Sequence, residues 1–281
     1  MDIVRRVHSM KEMARQGRER ARRIGFVPTM GYLHEGHMSL VRRVKEMADL
    51  IVVSIFVNPT QFGPGEDYAN YPRDLARDAD RCVSEGVDVV FAPEADEIYA
   101  ADACTFVEVE GLSARLEGAS RPGHFRGVAT VVLKLLNIVQ PHVVAFGQKD
   151  AQQAVIVQRM TRDLLLDTEI LVVPIVRDAD GVALSSRNVR LASAERRAAQ
   201  AIPRALKEAE KAIEGGERDP GRIVKTARDV LEAEPILRVD YVELVDTATL
   251  QPVAIAEGEM LLAVAVFAGK TRLIDNIVVT P

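Results

Sequence analysis

Two apolar runs, Gly25-Phe26-Val27-Pro28 and Leu50-Ile51-Val52-Val53-Ser54-Ile55-Phe56-Val57, flank the segment Thr29-Met30-Gly31-Tyr32-Leu33-His34-Glu35-Gly36-His37 and a stretch of helical periodicity to Ala48. Both runs have the length of strands. The second is nearly continuous in its hydrophobicity, the pattern of a strand covered on both faces. Strand, helix from His37 to Ala48 and strand make a βαβ unit, whose two strands must lie parallel. The same alternation continues outward. Leu75 to Glu85 reads as a helix stopped by Gly86, Val87 to Ala92 as a strand, Val128 to Val139 as a helix and Val143 to Phe146 as a strand. Ala151 to Asp163 then reads as a helix and Glu169 to Val176 as a strand, leading through the turn signal Asp180-Gly181 into Val182 to Ser185. The expected fold is α/β, a doubly wound parallel sheet.

After residue 190 the texture changes. Ser193 is placed to cap a long Ala/Glu/Lys/Arg helix interrupted by Pro203 and ending at Gly215-Gly216, and Asp219-Pro220 opens another that ends before Pro235. Arg238 to Val245, Met260 to Phe267 and Leu273 to Val279 close the chain as strands without helical crossovers, hence a small antiparallel sheet. This predicts two domains, 1–180 and a smaller α+β domain of 181–281, with the boundary near 176 to 186. Asn58 to Pro72 carries three prolines and two glycines without periodicity, and a loop of that kind is expected to act as a lid.

The 281 residues are 48% hydrophobic and 27% charged, which excludes a disordered chain. A net charge of -5 argues against broad adhesion to nucleic acid. The longest apolar run, Met260 to Gly269, is about half the ~20 residues a spanning helix needs. Two cysteines, Cys82 and Cys104, build neither a zinc site nor a disulfide framework, so the expected home is a reducing cytoplasm. The basic N-terminus, interrupted by Asp2, Glu12 and Glu19, reads as a solvated helix face rather than a targeting segment.

In an open parallel sheet, ligands bind outside the carboxyl ends of the strands, and four motifs occupy such positions. In the first, Gly31 and Gly36 permit tight backbone paths, and the helix beginning near His37 turns free N–H groups and a partial positive charge outward, an anion site. His34 and His37 can both face one phosphate and can carry a proton during reaction. Zinc is the weaker reading, because no third His or Cys is near; His8 and His142 read as surface or core residues. In the second, Asn58-Pro59-Thr60-Gln61, the amides suit a small substrate bearing hydroxyl and carboxylate groups, or the segment is an Asn-Pro turn with a surface Gln. In the third, Gly147-Gln148-Lys149-Asp150, glycine allows close approach, Lys149 suits phosphate, and Asp150 caps the next helix, accepts a ribose hydroxyl, or does both. The fourth, Leu184-Ser185-Ser186-Arg187-Asn188, reads as a clamp for outer phosphates or as a polar interdomain loop.

His34-x-Gly36-His37 is the HIGH-type signature of nucleotidyl transferases, and with Pro28-Thr29-Met30-Gly31 before it and Ser39-Leu40 after it the segment resembles the pantothenate synthetase (pantoate-β-alanine ligase) family. Asn58-Pro-x-Gln61-Phe62-Gly63, Tyr71-Pro72-Arg73, Phe146-Gly147-Gln148-Lys149-Asp150 and Ser185-Ser186-Arg187-Asn188 extend the resemblance, strongly over residues 23 to 190 and loosely beyond. It implies a Rossmann-like first domain that binds nucleotide and pantoate, and a second that closes over the ATP site. It further implies an ATP site formed by Met30, Gly31, Tyr32, Leu33, His34, Glu35, Gly36, His37, Gly147, Gln148, Lys149, Asp150, Val176, Leu184, Ser185, Ser186 and Arg187. Gln61, Gln153 and Asn58 would hold pantoate, and His37, His34 and Lys149 would be catalytic. Mg2+ would ride on the nucleotide phosphates without a protein metal site, and the enzyme would be a cytoplasmic homodimer. Gln148 and Ala151 depart from the family's usual acidic and aromatic residues, which puts the charge near the nucleotide in question. Ser120-Arg121-Pro122-Gly123-His124-Phe125-Arg126-Gly127 also resembles the family, without an individual role for Arg121, His124 or Arg126.

The implied reaction joins pantoate to β-alanine through a pantoyl adenylate, releasing pyrophosphate and then AMP. Two rivals remain open on the residues alone: a nucleotidyl transferase acting on another small acid or phosphate ester, and a nucleotide-sensing module. A class I aminoacyl-tRNA synthetase would need tRNA-binding modules for which the length and acidic balance leave no room.

Overall fold

The computed structural model describes residues 1–281, which divide into two compact units. The first comprises Met1–Gly147 and Ile156–Pro174, the second Gln148–Val155 and Ile175–Pro281. The expected division at 180/181 falls inside the second unit. No helix is long and apolar enough to cross a membrane.

The first unit is built on six strands: β1 (Asp2–Val4), β2 (Ile24–Thr29), β3 (Leu50–Ile55), β4 (Val89–Phe91), β5 (Val143–Gly147) and β6 (Glu169–Val173). All pair in parallel in the order β1-β4-β3-β2-β5-β6, as the repeated crossovers require. Strand order therefore reverses between β2 and β5, the switch point where loops diverge and leave a crevice. Connecting helices are α1 (Val7–Glu19), α2 (Glu35–Lys45), α3 (Leu75–Ser84), the short α4 (Ala95–Ile98) and α5 (Glu117–Ser120), and α6 (His124–Val139). On one face Val41 and Val44 of α2 and Cys82 of α3 pack with Val27, Val53, Val90 and Ala145. Phe26, Val52 and Phe91, on the opposite pleat, are equally buried. The sheet is thus covered on both sides, which explains the continuous apolar runs.

Helix α7 (Ala151–Asp163) follows the 3₁₀ turn Gln148–Asp150. The second unit then continues through α8 (Ser193–Ala199), α9 (Ala201–Glu214) and α10 (Pro220–Glu232) to an antiparallel sheet of β7 (Leu237–Asp246), β8 (Met260–Ala268) and β9 (Thr271–Val279). Ile202, Ala205, Leu206, Ala209 and Ile213 make the apolar stripe of α9, and they pack with Ile223, Leu231, Leu262 and Val264 in one core.

Three expectations shift, and one strand was not foreseen. Val182 to Ser185 is not a strand; only an isolated bridge joins Arg177 to Ala183, because the chain turns too tightly around Gly181 to extend a ladder. The helical break lies at Gln200, so that Pro203 stands in the first turn of α9, where a missing N–H costs nothing. Ala192, not Ser193, is the cap residue of α8, and Glu195 accepts its backbone N–H at 2.8 Å. Strand β1, three residues long at the sheet edge, carries too short a pattern to be read from sequence.

Candidate active site

In the first unit, β2 delivers its chain into the loop 30–37. Thr29 donates its hydroxyl to the Ser54 carbonyl at 2.7 Å and accepts the Gly31 N–H at 3.1 Å, turning the backbone sharply at the strand end. Gly31 has φ +83, and a Cβ there would lie 2.9 Å from Ile55 Cγ2 and 3.0 Å from Asp78 Oδ2, so only glycine fits. Tyr32 is also left-handed, at φ +51. Asp78, fully buried on α3, holds this strained path by accepting the N–H of Tyr32 at 2.6 Å and of Leu33 at 2.7 Å. Burial pushes the Asp78 carboxyl pKa up against the pull of those two N–H groups and of Arg77. Arg77 completes the brace, stacked 4.5 Å over the Tyr32 ring and donating to the Leu33 carbonyl at 3.2 Å.

The N–H groups of Tyr32 and Leu33 are therefore spent on Asp78, and the Leu33 side chain lies in the core. His34 is the N-cap of α2, and its ring centroid is 4.1 Å from that of His37. The His34 backbone N–H donates to His37 Nδ1 at 3.2 Å, which puts the proton of a neutral His37 on Nε2. Glu35 turns away, paired with Arg42, whose hydrogen bond lowers its pKa. The Gly36 carbonyl accepts from the Ser39 hydroxyl at 2.8 Å.

The segment after β3 meets the same loop: Gln61 Nε2 donates to Met30 Sδ at 3.1 Å. Asn58 is buried, and its amide is already committed. It donates to Gln61 Oε1 at 3.0 Å and to the Gly127 carbonyl at 3.2 Å, while accepting from Tyr99 at 2.8 Å and from the Thr60 hydroxyl at 2.9 Å. Asn58 thus orients Gln61, whose amide N–H is left with only a weak sulfur acceptor. Gly127 makes this possible, since a Cβ there would come within 2.3 Å of the Thr60 carbonyl oxygen.

The residues without an individual role find one as supports. His124 Nδ1 donates to the Gln61 carbonyl at 2.8 Å, so Nε2 is the acceptor facing Arg121 Nη1 at 3.1 Å. Burial, then the adjacent Arg121 charge, pushes His124 down to about 4. Arg121 also grips Glu66 of the 58–72 loop through two hydrogen bonds, of 2.8 and 2.6 Å. Burial alone would raise the Glu66 pKa, but this pairing outweighs it and holds the group below its ordinary value. Phe62, Tyr68 and Tyr71 cluster inside the loop, with ring centroids 5.4 and 6.1 Å from Phe62. Arg126 instead stacks over Phe106.

In the second unit, Lys149 stands in the 148–150 turn with Nζ 3.8 Å from Asp150 Oδ1, and Gln153 lies half-buried on the first turn of α7. The Val176 carbonyl accepts the Leu184 N–H at 3.0 Å, closing a narrow hairpin whose outgoing arm enters Ser185. Ser185 accepts the Arg187 N–H at 3.2 Å, Ser186 is buried, and Asn188 donates to the Ala183 carbonyl at 3.0 Å. Gln148 Nε2 donates to Asn276 Oδ1 at 3.4 Å, a hydrogen that a carboxylate at this position could not supply.

Each unit thus gathers its own share of the expected residues: Met30 to His37, Asn58 and Gln61 at the carboxyl ends of β2 and β3, and Lys149, Val176 and Leu184 to Arg187 around the 176–184 hairpin. No group of three or more His, Cys, Asp or Glu side chains is placed to hold a metal ion. Sequence reasoning passed over Asp78, Tyr99 and Asn276. One trace of Asp78 was present: a charge between Leu75 and Cys82 on the apolar stripe of a helix.

The chain matches the family profile Pantoate-beta-alanine ligase over residues 2–278. It is 57% identical to the pantothenate synthetase of Heliobacterium modesticaldum, across 98% of this chain and 99% of that protein, and 52% identical to that of Pelotomaculum thermopropionicum, across 98% of each. Among solved structures, pantothenate synthetase from Thermus thermophilus superposes with a TM-score of 0.95 at 44% identity, covering 100% of both chains. A pantoate-beta-alanine ligase from Francisella tularensis, complexed with beta-gamma ATP and β-alanine, superposes with a TM-score of 0.81 at 34% identity, over 99% of this chain and 97% of that one. The resemblance first carried by a few short motifs therefore extends along almost the whole polypeptide, and the chain belongs to the pantoate-beta-alanine ligase family, which condenses pantoate with β-alanine using ATP.

Proposed function

We propose that this ligase works through a pantoyl adenylate, and that the residues gathered at the β2 and β3 ends and around the 176–184 hairpin carry the chemistry. A carboxylate cannot expel oxide, so amide formation requires a better leaving group. The pantoate carboxylate attacks the α-phosphorus of ATP, the bond to the β-phosphate oxygen breaks, and pyrophosphate departs. The β-alanine amine then attacks the acyl carbon, releasing AMP and, with loss of a proton, giving pantothenate. Transfer at phosphorus depends on alignment and charge stabilisation rather than on an enzyme nucleophile.

The observation that carries this reading is the loop 30–37. Its strained backbone is braced from behind by Asp78, it opens onto the N-terminus of α2, it presents two imidazoles 4.1 Å apart, and its Met30 receives the Gln61 amide. His37 donates from Nε2 to the phosphoryl oxygens as negative charge grows, with His34 beside it. Met30, Gly31, Tyr32, Leu33, Glu35 and Gly36 shape the nucleotide path, the middle pair through backbone geometry. Gly147, Gln148, Lys149, Asp150, Val176, Leu184, Ser185, Ser186 and Arg187 serve the nucleotide from their own segments, Lys149 and Arg187 as the charges on phosphate. Gln61 and Gln153 hold pantoate, and Asn58 acts through Gln61. The donor set fits Mg2+ that arrives bound to ATP, since this ion is typically held by phosphates and water with few protein carboxylates. The enzyme is expected to be a cytoplasmic homodimer.

Incubation with ATP, Mg2+ and pantoate tests the reading. Pyrophosphate should appear only when pantoate is present, and AMP should be released when β-alanine follows. Pyrophosphate without pantoate, or AMP formed only when all three substrates are mixed and no adenylate trapped beforehand, would refute it.

A further inference from the structure

Two adjacent polar residues are buried in the middle of β9, where the strand pattern calls for apolar ones. Asp275 and Asn276 are each 3% exposed. Asn276 donates its amide to two successive backbone carbonyls, that of Gln148 at 2.9 Å and that of Lys149 at 3.0 Å, and accepts from Gln148 Nε2. Asp275 takes Arg177 in a two-point ion pair of 2.6 and 3.0 Å, and accepts the Asn276 N–H at 2.8 Å. Arg177 passes the connection on by donating to the Gly181 carbonyl at 3.0 Å, inside the hairpin whose outgoing arm enters Ser185.

We propose that Asp275 and Asn276 are positioning residues, a two-headed joint that fixes the distance from Lys149 to the Ser185-Ser186-Arg187 segment so that both meet the phosphates of one nucleoside triphosphate. This rests on the reading of those segments as phosphate-binding. Lys149 sits on a one-turn 3₁₀ segment and carries its charge at the end of a flexible stem, so its reach is set by where its backbone is held. A primary amide is the neutral side chain suited to the task, because its two coplanar hydrogens can serve two neighbouring carbonyls without adding charge. The carboxylate head is as specific, since two-point pairing fixes the guanidinium plane as well as its distance. Both heads are fixed to one rigid strand paired along its length with β8.

The test uses the full-length enzyme and pantoate-dependent pyrophosphate release. Asn276→Ala, and the near-isosteric Asn276→Asp, which loses the paired donors but keeps the volume, should each lower kcat/KM for ATP by roughly 10- to 100-fold while KM for pantoate moves less than about twofold. In a Lys149→Ala background, Asn276→Ala should add less than about threefold, because its effect runs through Lys149. Multiplicative losses in the double variant, an equal rise in pantoate KM, or unchanged ATP kinetics beside a crippled Lys149→Ala would each overturn the joint while leaving the phosphate reading standing. Normal turnover by Lys149→Ala would overturn that reading and the joint with it. Thermal melts accompany each assay, and if Asn276→Ala melts below the assay temperature, Asn276→Asp and Asp275→Asn, predicted to show the same ATP-selective loss, decide the matter.

Discussion

The Asp78 carboxylate accepts the Tyr32 backbone N–H at 2.6 Å across 46 residues of sequence. A buried carboxylate thereby sets the path of a loop that is left-handed at both Gly31 and Tyr32 and strained at the latter. Asp78→Ala should cost about 2 to 4 kcal/mol of stability, because it orphans two buried N–H groups. It should also raise KM for ATP more than KM for pantoate. Denaturant melts and initial-rate kinetics check the two effects, and an unchanged ATP KM in the folded variant would separate Asp78 from nucleotide binding.

His37 offers Nε2 as donor because Nδ1 is held by the His34 N–H. Replacing it with alanine should slow pyrophosphate release by ~10²-fold or more, the scale for losing one preorganised donor. His37→Gln, which keeps an amide donor, should recover part of that loss. Single-turnover measurements distinguish this from a defect in amide formation.

Gly127 gives the Asn58–Gln61 pair its room. A methyl at 127 would press on the Thr60 carbonyl at 2.3 Å and on the Gln61 nitrogen at 2.7 Å, so the 58–61 turn must shift. Gly127→Ala should raise KM for pantoate at least tenfold, a displacement penalty of order 1 to 3 kcal/mol, with ATP KM little changed. Equal effects on both substrates would show that the damage is global.

Glu66 and Arg121 tie the tip of the 58–72 loop to the segment before α6. Glu66→Gln keeps the size and removes the charge, so the loop should open more often and water should reach the acyl adenylate. The ratio of pantoate-dependent AMP release without β-alanine to pantothenate formed should rise. Identical ratios in mutant and wild type would remove the loop from this protective role.

His124 predicts an acid limb of stability. In the folded chain it titrates near 4, whereas an unfolded His titrates near 6.5. Between these values the unfolded state binds a proton that the folded state refuses, so stability is full above 6.5 and falls as the pH drops toward 4, by up to ~3 kcal/mol. Denaturant midpoints of wild type and His124→Gln, measured at pH 7 and pH 4.5, should converge or cross at the lower pH.

Much of this architecture was legible in the sequence because it is written in local periodicity. The β2-α2-β3 unit, α7 and the three C-terminal strands declare themselves in runs of apolar residues, and the first-unit expectations at Met30 and Gln61 do lie together. What escaped has its cause at long range. Asp78, Tyr99 and Gly127 act on residues some forty to seventy positions away, Asn276 on residues more than a hundred away, and no window of a dozen residues contains both partners. Val182 to Ser185 has strand composition, yet the hairpin around Gly181 leaves it a single bridge. The 58–72 loop was recognisable by what it lacks, but not the aromatic cluster and ion pair that give it shape.

Residues 148–155 belong with the second unit although the chain on either side of them belongs with the first. The polypeptide thus passes from one unit to the other three times, and Lys149 is secured from β9, far along the chain. No single proteolytic cut can part the two units cleanly, and in a nascent chain the 148–150 turn must wait for a strand more than a hundred residues further along before it finds its anchor.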